Sequence, residues 1–319
     1  MSLNNPLTPL LNQQPFVVLD GALATELEAR GCNLADSLWS AKVLMEQPEL
    51  IYAVHLDYFR AGAQCAITAS YQATPAGFAV RGLDEAQSRA LIARSVELAR
   101  QAREAFYKEQ PDAGPLLVAG SVGPYGAYLA DGSEYRGDYA LSAAEFADFH
   151  RPRVEALLAA GVDLLACETL PSLSEARALA ALLESYPQAR AWFTFTLRDS
   201  GHISDGTPLA DVAAALAPYP QIVALGINCV ALEKTTAALA HLHDATRLPL
   251  VVYPNSGEQY DAVSKTWHHS GHACQTLAHY LDEWRAAGAA LIGGCCRTTP
   301  ADIAALNAQR TRQLGRGGR

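Results

Sequence analysis

The sequence predicts a single-domain (β/α)8 barrel of the TIM type, and three observations support this prediction. Short apolar runs alternate with longer, alanine-rich amphipathic segments, a pattern typical of parallel strands joined by helices. Eight such strand–helix pairs can be counted, the number that closes a barrel. Polar residues such as Asp20, Glu168 and Cys229 end predicted strands, and in a barrel those carboxyl ends meet at one mouth.

Each predicted strand is a short apolar run, as a parallel strand buried on both faces requires. These runs lie at residues 16–20, 64–71, 116–121, 162–168, 191–197, 222–229, 248–253 and 290–292. The amphipathic segments predict helices at residues 49–61, 84–107, 141–160, 174–186, 209–216, 233–246, 275–287 and 301–309.

Several helix boundaries carry local signals. Ser174 is a predicted N-cap, because its hydroxyl can accept a hydrogen bond from an amide of the first turn. Pro208 and Pro300 are placed at helix starts, where the missing N–H costs little. Gly161 and Gly288 follow predicted helix ends, where glycine readily adopts the left-handed conformation.

The competing arrangement is an open, doubly wound sheet of eight strands, which fits the same periodicity. The barrel is favoured because Asp20, Asn255 and Cys295 follow the first, seventh and eighth strands, and the edge strands of an open sheet lie far apart. The sequence contains no evident linker, low-complexity block or repeat. We therefore expect one domain over residues 1–319, with frayed ends at residues 1–14 and 311–319.

Composition indicates a large core and an acidic surface. The chain has 319 residues, 50% of them apolar and 18% charged, against a usual charged share of about 25%. This excludes a disordered chain. With 24 basic and 33 acidic residues, the net charge is −9, which repels phosphate backbones, so nucleic acid is not an expected partner.

The termini and the cysteines predict a cytoplasmic protein with reduced thiols. The first residues lack the basic and apolar segments of a signal peptide. No stretch approaches about 18 continuous apolar residues, so no membrane span is expected. Seven cysteines are an odd number in a long chain, which argues against a disulfide framework. The oligomeric state is left open, and a monomer is compatible with the sequence.

Three cysteines form the pattern that carries the most chemistry. Cys229 ends the sixth strand, and Cys295 and Cys296 follow the eighth strand directly after Gly293 and Gly294. Their separation is far from zinc-finger spacing, so the sulfur atoms can meet only at a shared rim. The glycines are expected to supply the unusual backbone dihedrals of a turn that lets two adjacent residues bind one ion. Three thiolates would leave zinc one open position, as a catalytic site requires.

A zinc site of this kind favours one class of reaction. Zn²⁺ with three thiolates is a weak Lewis acid, poorly suited to making hydroxide, yet it can bind a thiol as a nucleophilic thiolate at neutral pH. A cationic alkyl donor is the natural partner of an anionic site. The pattern thus indicates zinc-assisted alkyl transfer to a thiol. The remaining cysteines are expected to be core packing; they are Cys32, Cys65, Cys167 and Cys274.

Several motifs extend this interpretation over nearly the whole chain. They are LDGALATEL from Leu19, SVGPYG from Ser121, CETLP from Cys167, GINC ending at Cys229, YPNSG from Tyr253 and GGCCRTTP ending at Pro300. Together they resemble the homocysteine S-methyltransferase family, whose fold is a (β/α)8 barrel. DGSEYRGDY at residues 131–139 and SKTWHH at residues 264–269 resemble the bacterial branch that uses S-methylmethionine or S-adenosylmethionine as the methyl donor.

The resemblance implies roles for individual residues. Cys229, Cys295 and Cys296 would be the zinc ligands, with the homocysteine sulfur as the fourth, and methionine would be the product. Asp20 and Glu168 match the acids that receive the homocysteine amino group. For Asp20, capping of a helix at residues 22–30 is a compatible alternative. The backbone N–H groups of Gly21 and Ala22, at that helix start, are candidates for holding the substrate carboxylate.

The donor site is less defined by the sequence. A sulfonium favours aromatic faces and carboxylates, so the candidates by loop position are Trp39, Tyr125, Tyr128, Trp267 and Glu134, with packing or exposure as the competing explanation for each. Gln72 stands near the position where the betaine-using branch has a tyrosine beside the metal, so it is not expected to be a resting ligand.

Other hypotheses remain for the donor and the function. A betaine-type donor would use the same barrel, and a zinc- or thiol-binding protein would carry the same cysteines without methyl transfer. A metal-dependent hydrolase is disfavoured because this sequence has no His-x-His after the first strand. A cobalamin-dependent module is disfavoured because the sequence has no Asp-x-His-x-x-Gly motif. The histidines at residues 268, 269 and 272 are expected in a solvated turn, and stabilisation of a turn is the alternative role for Asn255.

Overall fold

The computed structural model describes residues 4–36, 38–261, 266–269 and 275–317. Eight parallel strands form one sheet: β1 (Val17–Val18), β2 (Cys65–Ile67), β3 (Leu117–Val122), β4 (Leu164–Leu170), β5 (Ala191–Phe195), β6 (Ile222–Asn228), β7 (Leu250–Tyr253) and β8 (Ala289–Ile292). Each strand pairs with its neighbours in sequence, and β1 pairs with β8. A parallel bridge between Leu19 and Cys65 joins β1 to β2. The barrel is therefore closed, and the open-sheet alternative is wrong.

Thirteen α-helices surround or cap the sheet in the described residues. They are α1 (Thr8–Leu11), α2 (Leu23–Ala29), α3 (Trp39–Glu46), α4 (Pro48–Ala61), α5 (Pro75–Ala79), α6 (Glu85–Glu109), α7 (Tyr125–Leu129), α8 (Ala143–Ala159), α9 (Leu173–Leu183), α10 (Leu209–Leu216), α11 (Leu232–Ala245), α12 (Leu277–Ala286) and α13 (Pro300–Gly317). A 3-10 helix covers Ser133–Tyr135, and antiparallel hairpins pair Leu197–Asp199 with His202–Ile203 and Glu258–Asp261 with Thr266–His269.

Most predicted boundaries lie within a few residues of the observed ones, but two local predictions need correction. Helix α9 is capped by Ser172, whose hydroxyl accepts from the Glu175 amide at 3.3 Å, so Ser174 is not the N-cap. The segment around His268 and His269 forms a hairpin strand at residues 266–269 rather than a turn, while His272 lies outside the described residues. Gly161 and Gly288 have positive φ, as expected beyond helix ends.

Two apolar clusters follow from strand alternation. Val17 and Leu19 belong to the cluster inside the barrel. Phe16 and Val18 belong to the larger cluster between the sheet and the helices. Along β4, Cys167 packs outward in the same way, which turns the next side chain, Glu168, toward the interior.

The N-terminal segment differs from the predicted frayed end. Leu7 and Leu10 are buried among the inward-facing strand residues, and the side chain of Gln14 hydrogen-bonds that of Gln64, just before β2, at 2.9 Å. This segment therefore covers the amino-terminal end of the barrel, because that end must be closed against water. Helix α13 likewise continues through residue 317, so most of the predicted C-terminal fray is helical.

In the described part of the chain, no helix combines the length and apolar character needed to cross a membrane.

Candidate active site at the carboxyl end of the barrel

A cavity of about 360 Å³ lies at the carboxyl ends of the strands. Its wall includes residues that end or follow β1, β2, β3, β4, β6, β7 and β8, among them Asp20, Gln72, Ser121, Glu168, Cys229, Tyr253 and Cys295. The convergence predicted from the ends of the strands is thus present in the structure.

The three cysteines meet in this cavity. The Sγ atom of Cys229 lies 3.1 Å from that of Cys295 and 3.7 Å from that of Cys296. All three Sγ atoms lie within 4.8 Å of one another, and the described residues contain no other cluster of three metal-ligating side chains. Zinc–sulfur bonds of about 2.3 Å in a tetrahedron place sulfur atoms about 3.8 Å apart. The cluster therefore fits a thiophilic metal ion, with one position left for a further ligand.

Unusual backbone geometry brings the sulfur atoms together. Cys229 and Arg297 have φ of 56° and 65°, which for non-glycine residues is uncommon and typical of functional sites. Thr169, near the end of β4, has φ of 60°. Its amide donates to Asn228 Oδ1 at 2.7 Å, and its hydroxyl accepts from Asn228 Nδ2 at 2.9 Å. These bonds offset part of the strain.

The paired glycines have a different role from the predicted one. Positive φ values occur at Cys229 and Arg297, not at Gly293 or Gly294. A Cβ on Gly293 would lie 2.6 Å from Leu19 Cβ, and one on Gly294 would lie 2.3 Å from Thr298 Oγ1. Both positions require glycine because neighbouring atoms approach closely.

The thiols do not have equal acidity. Hydrogen bonds from the Cys229 and Cys295 thiols hold the pKa of Cys296 well below its ordinary value, because they stabilise the thiolate. The Tyr135 hydroxyl lies 3.4 Å from Cys229 Sγ, and the charge of Cys229 raises the pKa of that hydroxyl. Tyr135 is thus a neutral neighbour of the sulfur cluster.

Two acids lie deeper in the cavity. The amide of Ile67 donates to Asp20 Oδ2 at 2.9 Å. The hydroxyls of Ser121 and Tyr253 donate to Glu168 Oε1 and Oε2 at 2.5 and 2.7 Å. Burial raises the pKa of both acids, that of Glu168 to about 7, and the charge of Glu168 adds to the effect on Asp20. A cation bound between the two carboxylates would favour their ionised forms and so lower both pKa values again.

Of the two backbone N–H groups predicted to hold the substrate carboxylate, one already has a hydrogen-bond partner. Helix α2 has Ala22 at its N-cap, and the Ala22 amide donates to Thr298 Oγ1 at 3.2 Å. Asp20 bonds to Ile67 and does not cap this helix. The backbone of Gly21 still lines the cavity, and a Cβ there would lie 2.8 Å from the Tyr58 hydroxyl.

The residues predicted for the donor site differ in whether they line the cavity. Trp39 and Glu134 line the cavity. Tyr125 and Tyr128 instead pack against each other, with ring centroids 5.5 Å apart, and against Phe149, so packing explains them. The side chain of Trp267 lies outside the described part of the structure.

Other predictions on single residues can now be assessed. Gln72 lines the cavity, and its Oε1 accepts from the Ser40 hydroxyl at 3.5 Å. The backbone N–H of Asn255 donates to the Val230 carbonyl at 3.0 Å, a contact between the loops after β7 and β6 that does not test a local turn. Cys32, Cys65 and Cys167 are buried and free, as expected of core packing. Cys274 lies outside the described residues.

Sequence reasoning missed three tyrosines of the site. Tyr135 and Tyr71 both line the cavity, and the Tyr253 hydroxyl reaches Glu168 from β7. Tyr135 lies inside a motif already recognised at residues 131–139. Only the path of the loop between β3 and α8, however, shows that this hydroxyl reaches the sulfur cluster.

Comparisons with known proteins show the family of this chain. The family model described as homocysteine S-methyltransferase matches residues 17–310. The homocysteine S-methyltransferase of Escherichia coli (strain K12) is 77% identical over 97% of this chain and 100% of that protein. Homocysteine S-methyltransferase YbgG of Bacillus subtilis (strain 168) is 55% identical over 94% of this chain and 96% of that protein.

A solved structure shares the architecture as well. The metallated form of the homocysteine methyltransferase MmuM from Escherichia coli has a TM-score of 0.89 and 73% identity, over 96% of this chain and 100% of that chain. The family model and the curated relatives each span most of the chain. This protein belongs to the homocysteine S-methyltransferase family.

Proposed function

We propose that this protein transfers a methyl group from a sulfonium donor, S-methylmethionine or S-adenosylmethionine, to homocysteine in a zinc-dependent reaction that forms methionine. The observation that carries the proposal is the cluster of three cysteine sulfur atoms at the mouth of the barrel. With S-methylmethionine the demethylated donor is itself methionine, so each turnover yields two methionines. We also propose that residues 1–319 form one homocysteine-binding domain.

Cys229, Cys295 and Cys296 are the residues that would hold Zn²⁺. The donor set fits, because three sulfur ligands suit a soft ion and no carboxylate or imidazole joins the cluster in the described residues. When bound, the ion would keep the homocysteine sulfur deprotonated and nucleophilic at neutral pH. A cytoplasmic location is consistent with this role, since the cysteines must remain reduced.

Asp20 and Glu168 are proposed to bind the homocysteine ammonium group. Both carboxylates line the cavity and are nearly buried, with 5% and 7% of their surface exposed. An ammonium bound beside these acids would favour their ionised forms and would lower their pKa values. The Gly21 backbone is the remaining candidate for contact with the substrate carboxylate.

The protein's further contribution is alignment. The acids orient the amino-acid end of homocysteine, so that its sulfur points toward the cysteine cluster. The methyl group then passes from the donor sulfur to the homocysteine sulfur along one line: the new S–C bond forms as the old one breaks, and its electron pair returns to the donor. Holding the two sulfur atoms in this geometry supplies much of the rate enhancement.

A donor panel tests the proposal. Zinc-replete protein is incubated with homocysteine and S-methylmethionine, S-adenosylmethionine or betaine, and methionine is quantified. Formation of methionine with a sulfonium donor, lost on zinc removal and restored by zinc, is the expected result. Transfer from betaine alone would favour the betaine-type alternative. No methionine with any donor, despite stoichiometric zinc, would indicate a zinc- or thiol-binding protein.

A further inference from the structure

A third acid in the cavity is one of the donor-site candidates, and the group of the donor that it would contact is still to be identified. Glu134 lies on the 3-10 helix Ser133–Tyr135 and lines the cavity. Its Oε2 atom is shielded from solvent and has no hydrogen-bond partner among the described residues. Asp20 and Glu168, by contrast, accept hydrogen bonds from the protein. Glu134 thus has one buried carboxylate oxygen that the described residues leave without a partner.

The surrounding loop holds Glu134 in place. The Thr196 hydroxyl donates to the Glu134 carbonyl at 3.0 Å. A Cβ on Gly126 would lie 2.6 Å from the Glu134 amide nitrogen, and one on Gly137 would lie 2.7 Å from the Pro171 carbonyl oxygen. The loop is therefore closely packed on both sides of the 3-10 helix, which limits how far this carboxylate can move toward solvent.

The basic side chain of the same loop is directed elsewhere. Arg136 Nε donates to Asp138 Oδ2 at 3.0 Å on the exposed side of the loop. Burial, with a contribution from the charge of Cys229, raises the pKa of Glu134. A buried acceptor without a partner costs free energy, so a ligand carrying both a positive charge and N–H donors would be stabilised here.

The position of Glu134 selects the methyl donor as that ligand. The next residue, Tyr135, places its hydroxyl 3.4 Å from Cys229 Sγ, so this loop borders the place where the methyl group is transferred. A sulfonium centre has no N–H group and cannot satisfy an acceptor. The α-ammonium group of S-methylmethionine, three carbon atoms from its sulfonium, can.

We propose that the Glu134 carboxylate binds the α-ammonium group of the methyl donor and so selects amino-acid sulfonium compounds over donors that lack an amino group. This inference rests on the proposed function and adds a residue that determines donor specificity. Glu134 would act on the donor, while Asp20 and Glu168 act on homocysteine.

A pair of matched donors tests the inference. S-methylmethionine is compared with its desamino analogue, in which hydrogen replaces the amino group while the dimethylsulfonium and carboxylate stay. For the wild-type protein, kcat/KM should be about 10- to 100-fold higher with S-methylmethionine, the contribution of one charge-assisted hydrogen bond. In Glu134→Gln this preference should shrink to about twofold, because kcat/KM should fall for S-methylmethionine and stay unchanged for the desamino analogue.

Direct binding provides a readout independent of turnover. Calorimetry of each donor with zinc-loaded protein, without homocysteine, should show the same loss of preference in Glu134→Gln. Zinc content and the KM for homocysteine should stay unchanged. Glu97→Gln is the matched control, because Glu97 is an exposed acid on α6 that does not line the cavity, and it should behave as wild type.

Three results would overturn the inference: a wild-type protein that uses both donors equally well, a Glu134→Gln variant that loses both donors equally, or one that raises the KM for homocysteine instead. The first needs no variant and holds even if a substitution impairs folding. Failure of the proposed function is distinct, because the wild-type protein would then form no methionine from any donor.

Discussion

Single residues in this site differ in what their neighbours provide. Cys296 is hydrogen-bonded by two other thiols, which favours its thiolate. Cys167 is buried in the outer core, and burial together with the charge of Glu168 raises the pKa of its thiol. The pKa values of these two cysteines therefore shift in opposite directions, because one thiol has polar partners and the other is surrounded by apolar groups.

Replacing Cys296 with alanine should abolish both zinc binding and methyl transfer, because two thiolates cannot hold the ion as three do. Zinc per chain, measured by atomic emission after dialysis, is expected to fall from about one toward zero. Cys167→Ala is the matched control and should keep its zinc while losing about 1 kcal/mol of stability. Full zinc content in Cys296→Ala would contradict the ligand assignment.

Glu168→Gln should keep the fold and the zinc while raising the KM for homocysteine at least about tenfold, since a neutral amide replaces a charge-assisted partner of the ammonium. Zinc content and thermal unfolding distinguish this result from a structural defect. An unchanged KM would remove Glu168 from the substrate site.

The raised pKa of Glu168, about 7, also predicts a pH dependence. Only the ionised carboxylate attracts an ammonium, so binding should strengthen as pH rises through that pKa. Methionine is the suitable probe because its thioether does not titrate. Its affinity should increase about tenfold between about pH 6 and pH 8, and this change should vanish in Glu168→Gln. A flat profile in the wild-type protein would contradict the assignment.

At the scale of elements, helices α8 and α9 hold the loops of the site from behind. Arg153 donates to His150 Nδ1 at 3.0 Å and to the Tyr71 carbonyl at 2.7 Å. His150 Nε2 lies 2.7 Å from Glu175 Oε2, and both side chains are almost fully buried. Burial lowers the pKa of His150, so a neutral imidazole links the two charged groups. Glu175 also accepts from the Tyr125 amide at 2.7 Å.

Removal of one member of this buried network should be costly. Glu175→Gln is expected to lower the free energy of unfolding by about 3 kcal/mol, because the Arg153 charge loses its compensation. Denaturant unfolding measures the change. The exposed pair Arg94–Glu97, at 3.3 Å, supplies the control: Glu97→Gln should change stability by less than about 0.5 kcal/mol. Equal effects would show that the buried network is not a structural support.

At the scale of the whole molecule, the two ends of the barrel have separate tasks. The carboxyl end carries the cavity with the acids and thiols. The amino end is closed by the N-terminal segment, where Leu7 and Leu10 join the interior cluster. Arg310 of α13 donates to Gln14 at 2.7 Å, which ties the end of the chain to its beginning. This division permits changes in stability without changes in chemistry.

Leu7→Ala should therefore reduce the free energy of unfolding by about 3 kcal/mol, the cost of a cavity at a fully buried leucine. The KM values and zinc content should remain those of the wild-type protein, because Leu7 does not line the cavity. Leu11→Ala, at a less buried position at the end of the adjoining helix α1, should cost less. A loss of zinc in Leu7→Ala would show that the two ends are coupled.

The amino-acid sequence by itself determined the barrel, its strand order and the family, because these depend on local patterns. Apolar periodicity marks each strand and helix. Residues such as Asp20, Glu168 and Cys229 end predicted strands, and because the strands of a barrel run parallel, their carboxyl ends lie at the same mouth. Helix α10 was located with both boundaries correct.

Only the tertiary structure decided which loop side chains enter the cavity. Tyr125 and Tyr135 both belong to the segment after β3, yet one packs among aromatic rings and the other reaches Cys229. Likewise, Gly293 and Gly294 are required by close neighbours distant in sequence, and Leu7 is buried by strands that follow it. Such contacts join residues far apart along the chain, and no local pattern encodes them, because they arise only when the barrel closes.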